Sequence, residues 1–134
     1  SIGLVGSEMC IRDRSSTAGV FGFPLRSPYA VSKAATISFT KTAAMELGKY
    51  NIRVNAILPG VTRGLRMQKV IEAKAKYLGV SKKKVEKDFI SMASMNCWIE
   101  EKDIGKLCSF LISDDGRKIS GQSIAVDGNT LRAD

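Results

Sequence analysis

The run Ile52–Leu58, IRVNAIL, constrains the fold more than any other feature of the chain. It is short, rich in β-branched residues and closed by Pro59-Gly60, as a largely buried strand running into a loop would be. A long helical stretch precedes it directly. Ser27 offers a capping hydroxyl, Pro28 suits the first helical position, where no intrahelical N–H bond is lost, and good helix formers continue to Lys49. A long helix feeding straight into a buried strand indicates the α/β class.

The same reading extends along the chain. Residues 15–27, SSTAGVFGFPLRS, are a loop rich in Gly, Ser and Pro. In the first helix Val31, Ala35 and Phe39 form one apolar line and Ala30, Ala34 and Ile37 another, which predicts burial on two sides, by a sheet and by a partner subunit. Met67, Val70, Ile71, Ala75 and Leu78 fall at helical spacing within 63–79, and Ser81 caps a further helix carrying Val85, Phe89 and Met92. Ile104, Leu107, Cys108 and Leu111 mark a helix with Glu100, Glu101 and Asp103 at its positive end. Asp114-Asp115-Gly116 stops it, and Gln122–Val126 reads as a last strand. Residues 1–14 show no period for helix or strand and receive no regular structure.

Composition narrows the chemistry. The chain has 134 residues, 44% hydrophobic and 25% charged, as in a globular protein of one domain. No window holds the roughly eighteen apolar residues of a membrane span, and no basic flank precedes an apolar run as in a signal peptide, so the expected setting is cytoplasmic. Cys10, Cys97 and Cys108 share no Cys-x-x-Cys spacing and read as reduced. There is no histidine, which removes the commonest general base and the usual zinc sites; no metal is expected. Residues 63–87 hold nine Lys and Arg against Glu72 and Glu86, a local +7 of the net +8. Such a segment meets nucleic acid, an anionic membrane or an acidic small molecule, or is a solvated helix face. It has no interleaved aromatics apart from Tyr77, which argues against nucleic acid.

Acid–base chemistry therefore falls to Tyr, Lys, Asp or Glu. Tyr29 and Lys33 lie four apart near the start of the first helix, so both project from one face toward one ligand. A tyrosine, with a pKa of about 10, is a poor base at neutral pH, but a neighbouring ammonium favours its phenolate. Ser16 lies thirteen residues before Tyr29, and Pro59-Gly60 ends the strand after the helix.

Taken in order, Ser16-Thr-Ala-Gly19, Tyr29-Ala-Val-Ser-Lys33-Ala-Ala, Arg53-Val-Asn-Ala-Ile-Leu-Pro-Gly60 and Ser120-Gly-Gln-Ser-Ile-Ala-Val-Asp-Gly128 resemble the short-chain dehydrogenase/reductase family over roughly residues 15–130. The resemblance is to the C-terminal half of that family, which implies a partial Rossmann-like, doubly wound α/β fold. It implies that Tyr29 is the general acid/base for interconverting an alcohol and a ketone, that Lys33 holds the nicotinamide ribose, and that Ser16 hydrogen-bonds the substrate oxygen. Pro59, Gly60 and Thr62 would lie against the nicotinamide of NAD or NADP. The helices from 63 to about 92 would cover the substrate; on such a lid the charge count predicts that some of Arg63, Arg66 and Lys69 turn inward and favour a substrate bearing a carboxylate or phosphate, with Lys82 to Lys84 solvated.

The family's Gly-rich pyrophosphate turn has no counterpart here. The chain accordingly reads as an inactive fragment: residues 1–14 a leader without family character, resembling translated sequencing-adapter sequence, and 15–134 the C-terminal half of a dinucleotide-binding oxidoreductase domain. Its expected partners are a small alcohol or ketone and further copies of itself, as a dimer or tetramer, with no nucleic acid and no membrane. A non-catalytic, self-associating scaffold of the same fold is the alternative.

Overall fold

The computed structural model describes the backbone of residues 10–22 and 24–131, and the side chains of 15–22 and 24–131. Three parallel strands form one sheet in the order β1 (Cys10–Arg14), β2 (Arg53–Pro59), β3 (Ser123–Val126). β1 pairs with β2 from Cys10↔Arg53 to Arg14↔Ile57, and β2 with β3 from Ala56↔Ser123 to Pro59↔Val126. Parallel strands need crossovers, and helices supply them: α1 (Ser27–Leu47) between β1 and β2, then α2 (Leu65–Leu78), α3 (Lys82–Ile90) and α4 (Glu101–Ile112) between β2 and β3. This is the partial doubly wound architecture expected from the sequence.

β2 is buried along its whole length, and its alternating side chains serve two layers. Ile57 packs with Cys108 and Leu111 of α4, and Ile104, Leu107, Ile124 and Val126 close around them. On the same parity stand two polar residues that tie the sheet to its return loop. The Arg53 guanidinium donates through Nη1 to the carbonyls of Leu111 (2.6 Å), Gly116 (3.0 Å) and Ile119 (3.4 Å), while its Nε is buried without a partner among the described residues. The Leu111 carbonyl is one of the helix-end acceptors that α4 itself leaves unpaired, and a cation there also meets the negative end of the helix dipole. Asn55 donates to the Ile119 carbonyl and accepts from the Gln122 amide, so its one side chain spans that turn. Val54, Ala56 and Leu58, on the other parity, lie on the side taken by α1.

The structure differs from the sequence reading in several places, among them α3, which ends at Ile90 and leaves Met92 outside it, and the last strand, which starts at Ser123. Cys10–Arg14, given no regular structure, is strand β1: five residues with one large apolar side chain carry no period of their own, and pairing with β2 decides them. Ser27 is the first residue of α1 and Arg26 its cap position, with Pro28 at the helix start; α1 ends at Leu47 and a 3₁₀ turn, Gly48–Tyr50, follows. The two apolar lines of α1 are unequal, since Ile37 is half-buried while Val31 and Phe39 remain 68% and 60% exposed.

α2 and α3 form their own small core of Ile71, Ala75 and Val85, flanked by Met67, Phe89 and Trp98. Ser81 caps α3 as its sequence predicts, accepting from the Lys84 amide, and at α4 the Asp103 carboxylate accepts from the Glu100 amide. The two-helix excursion is pinned at both ends. At its start Thr62 bridges Ile99, with Arg63 N donating to Ile99 O and Ile99 N to Val61 O. At its finish Ser94 N donates to Asn129 O, Met95 N to Gly128 O and Leu131 N to Met92 O.

Candidate active site

All three strands point their C-terminal ends at one edge, where open α/β sheets take their ligands. The Ser15 amide extends the pairing by donating to the Ile57 carbonyl, which sets Ser16 just beyond β1. The Gly60 amide does the same beyond β2, donating to Val126. A Cβ on Gly60 would stand 2.7 Å from the Cα of Asp127, so only glycine allows the two strand ends to lie this close. Asp127 in turn accepts from the amides of Asn129 and Thr130 and shapes the turn that pins the two-helix excursion.

The Ser16 loop is fastened to α1 at one point. Ser15, 3% exposed, donates its hydroxyl to the Lys33 carbonyl at 2.8 Å, and a Cβ on Gly19 would lie 2.9 Å from the same carbonyl. These contacts separate the two adjacent serines. Ser15 is committed to the helix backbone, whereas Ser16, half-buried, accepts from the Ala18 amide and keeps its hydroxyl proton for another acceptor. The interval from Ser16 to Tyr29 points to this serine; the part played by Ser15 depends on a carbonyl eighteen residues away, and Gly19, three residues past Ser16, is its one local signal.

Tyr29 stands in the first turn of α1, 39% exposed, and the Lys33 ammonium lies 5.6 Å from its ring centroid. The four-residue spacing places the ammonium and the tyrosine ring on one face of the helix. Thr62 is turned toward its own loop, its hydroxyl donating to the Gly60 carbonyl at 3.1 Å, which leaves that oxygen free to accept. Pro59 ends β2, Ser16, Gly60 and Thr62 follow the strand ends of this edge, and the Ser15 bond joins α1 to it, with Tyr29 and Lys33 on adjacent turns. Phenol, ammonium and hydroxyl amount to one proton donor, one fixed cation and one neutral hydrogen-bond donor, a set suited to a substrate oxygen that changes charge. Among the described residues no group of Cys, Asp and Glu side chains could hold a metal ion.

The sequence expects some of Arg63, Arg66 and Lys69 to turn inward. All three are exposed, and of them Arg63 alone packs, its guanidinium 5.7 Å from the Trp98 ring centroid and its Nε 3.6 Å from Glu100. Helix periodicity explains this, because the face carrying Met67, Ile71 and Ala75 is the one turned toward α3. Lys82 pairs with Glu72 and holds that carboxyl below the ordinary glutamate range through a hydrogen bond and its charge; Lys84 pairs with Asp88. Lys82, Lys83 and Lys84 are all exposed, as expected.

Residues 6–129 match the family described as enoyl-(acyl carrier protein) reductase. The chain belongs to the short-chain dehydrogenase/reductase family. Among curated relatives, the 3-oxoacyl-[acyl-carrier-protein] reductase of Thermotoga maritima is 33% identical over 117 residues, 87% of this chain and 43% of that protein. Among solved structures, NAD+-bound xylitol dehydrogenase superposes with a TM-score of 0.78 at 34% identity, over 90% of this chain and 48% of the other. L-sorbose reductase from Gluconobacter frateurii, complexed with NADPH and L-sorbose, gives a TM-score of 0.84 at 28% identity, over 91% and 47%. The chain thus spans less than half the length of these family members.

Proposed function

We propose that this chain is the catalytic half of an NAD- or NADP-dependent oxidoreductase that interconverts an alcohol and a ketone. The observation that supports the reading is the fastening of the Ser16 loop to α1 at Lys33, through the Ser15 hydroxyl and the close approach at Gly19, on the helix where the Lys33 ammonium lies over the Tyr29 ring. In the oxidative direction the Tyr29 oxygen takes the alcohol proton as the carbinol carbon loses hydride. In the reductive direction the phenol returns a proton to the carbonyl oxygen. Ser16 donates a hydrogen bond to the same oxygen and stabilises the charge developing on it. The Lys33 ammonium, 5.6 Å from the Tyr29 ring centroid, supplies the cation, and its flexible four-carbon stem is suited to holding a ribose. A nicotinamide bound against Pro59, Gly60 and Thr62 supplies the hydride acceptor or donor. The hydroxyl of Thr62 and the backbone beyond Gly60 are hydrogen-bonding groups suited to its carboxamide.

The outer line of α1, with Val31, Phe39 and the 85% exposed Met45, supports self-association as a dimer or tetramer. That face serves a catalytic oligomer and a non-catalytic scaffold equally, so the test must be chemical. Residues 15–134 joined to the N-terminal half of the Thermotoga maritima reductase should oxidise NADH or NADPH with a simple ketone. Tyr29→Phe should lower that turnover by about 10²–10⁴, the usual cost of losing the catalytic acid. Turnover within about tenfold of the unsubstituted chimera would refute the assignment.

A further inference from the structure

A pocket of about 290 Å³ lies between α2, α3 and Trp98, and Gly64, two residues past Thr62, is on its rim. Its apolar surface comes from Met67, Ile71 and the Trp98 ring; its polar groups are Arg63, Gln68 and Glu86. The two charged members differ in sign and neither is fully engaged. Arg63 meets Glu100 through Nε at 3.6 Å, longer than a hydrogen bond, and its guanidinium lies 5.7 Å from the Trp98 ring centroid, within cation–π range. Neither Gln68 nor Glu86 has a polar partner among the described residues, whereas the other two acidic residues of α2 and α3, Glu72 and Asp88, are each taken by a lysine.

From this arrangement we infer that the pocket binds a small apolar molecule carrying both a carboxylate and an ammonium group, the carboxylate on Arg63 and the ammonium on Glu86. The surrounding +7 segment disfavours a simple cation, Glu86 disfavours a dianion, and a zwitterion with an apolar chain satisfies both charges and covers the Trp98–Met67–Ile71 surface. The inference deepens the oxidoreductase reading by naming the substrate class, amino-acid-like alcohols or ketones, and rests on that reading for the pocket's use.

Trp98 is the chain's one tryptophan, so its emission reports the pocket directly, with neither cofactor nor turnover. The 134-residue chain is titrated with norleucine, hexanoate and hexylamine at neutral pH and low salt, with calorimetry on the same samples. Norleucine should give a saturable signal and bind about tenfold tighter than either monopolar compound, the effect of one additional charge-assisted hydrogen bond. Arg63→Gln should weaken norleucine and hexanoate and leave hexylamine unchanged; Glu86→Gln should weaken norleucine and hexylamine and spare hexanoate. Both positions are solvent-facing, so the fold survives the changes. Norleucine binding no tighter than hexanoate, affinity unmoved by both variants, or silence in fluorescence and calorimetry alike overturns the proposal. None of these results bears on the Tyr29→Phe turnover, which tests the oxidoreductase reading alone.

Discussion

Replacing Arg53 by methionine should be among the most damaging single changes in the chain outside its apolar core. Arg53 is 8% exposed, and two of its Nη1 bonds, to Leu111 at 2.6 Å and Gly116 at 3.0 Å, are short enough to count fully, whereas that to Ile119 at 3.4 Å is weak. Charge-assisted bonds contribute about 1.5–3 kcal/mol each, so the two together are worth roughly 3–6 kcal/mol. Against this stand the buried, unpartnered Nε and the relief of removing a buried cation, each about 1 kcal/mol or more. The balance is a loss of about 3 kcal/mol, a large part of a domain's usual 5–15 kcal/mol or so, and a fall in Tm of roughly 10 °C. Arg53→Lys should recover part of it, because an ammonium restores one donor to the end of α4 but not the planar fork. Urea unfolding followed by far-UV circular dichroism measures both variants. A midpoint for Arg53→Met equivalent to less than about 0.5 kcal/mol, with an unchanged slope, would show that the carbonyls find other partners and that the guanidinium is not what holds α4 to β2.

Gly19→Ala places a methyl 2.9 Å from the Lys33 carbonyl, and the Ser16 loop must lift off α1; turnover of the chimera should fall severalfold or more while its fold, followed by circular dichroism, persists. Ser15→Ala removes the Lys33 tether and should cost about 1 kcal/mol in unfolding free energy, with a lower kcat and an unchanged cofactor affinity. Lys82→Met releases Glu72, whose carboxyl should titrate at higher pH by NMR. In the unsubstituted chain the folded value lies below the unfolded one, so this pair stabilises above the ordinary glutamate range and the contribution disappears as pH falls through the folded value. Gly116→Ala sets a methyl 2.5 Å from the Phe110 carbonyl, which cannot swing away as a side chain would, and should destabilise the chain by about 1–3 kcal/mol in the same urea assay.

What the sequence made legible follows from range. Helix spacing is local, so α2, α3 and α4 and the Ser81 cap are legible in the periodicity, and the Tyr29–Lys33 interval suffices to put both side chains on one helix face. β2 declared itself because a strand buried on both faces is apolar nearly throughout. β1 did not, since its pairing partner lies more than forty residues away and its own five residues favour nothing. The roles of Arg53 and Asn55 were hidden for a related reason: a polar residue within an apolar strand looks like an interruption until the carbonyls of residues 111–119 arrive beside it. The direction taken by Arg66 and Lys69 depended on helical phase, which a tally of positive charge does not contain.

The paired anchoring of the two-helix excursion reaches beyond stability. Because residues 61–63 and 92–95 are each held by backbone hydrogen bonds to residues outside the excursion, to Ile99 on one side and to Gly128–Leu131 on the other, residues 64–91 leave and rejoin the body at fixed sockets that do not depend on what lies between them. The segment behaves as an exchangeable cassette. Selection can lengthen it, shorten it or rewrite its charges while Ser16, Tyr29 and Lys33 stay where the sheet and α1 put them.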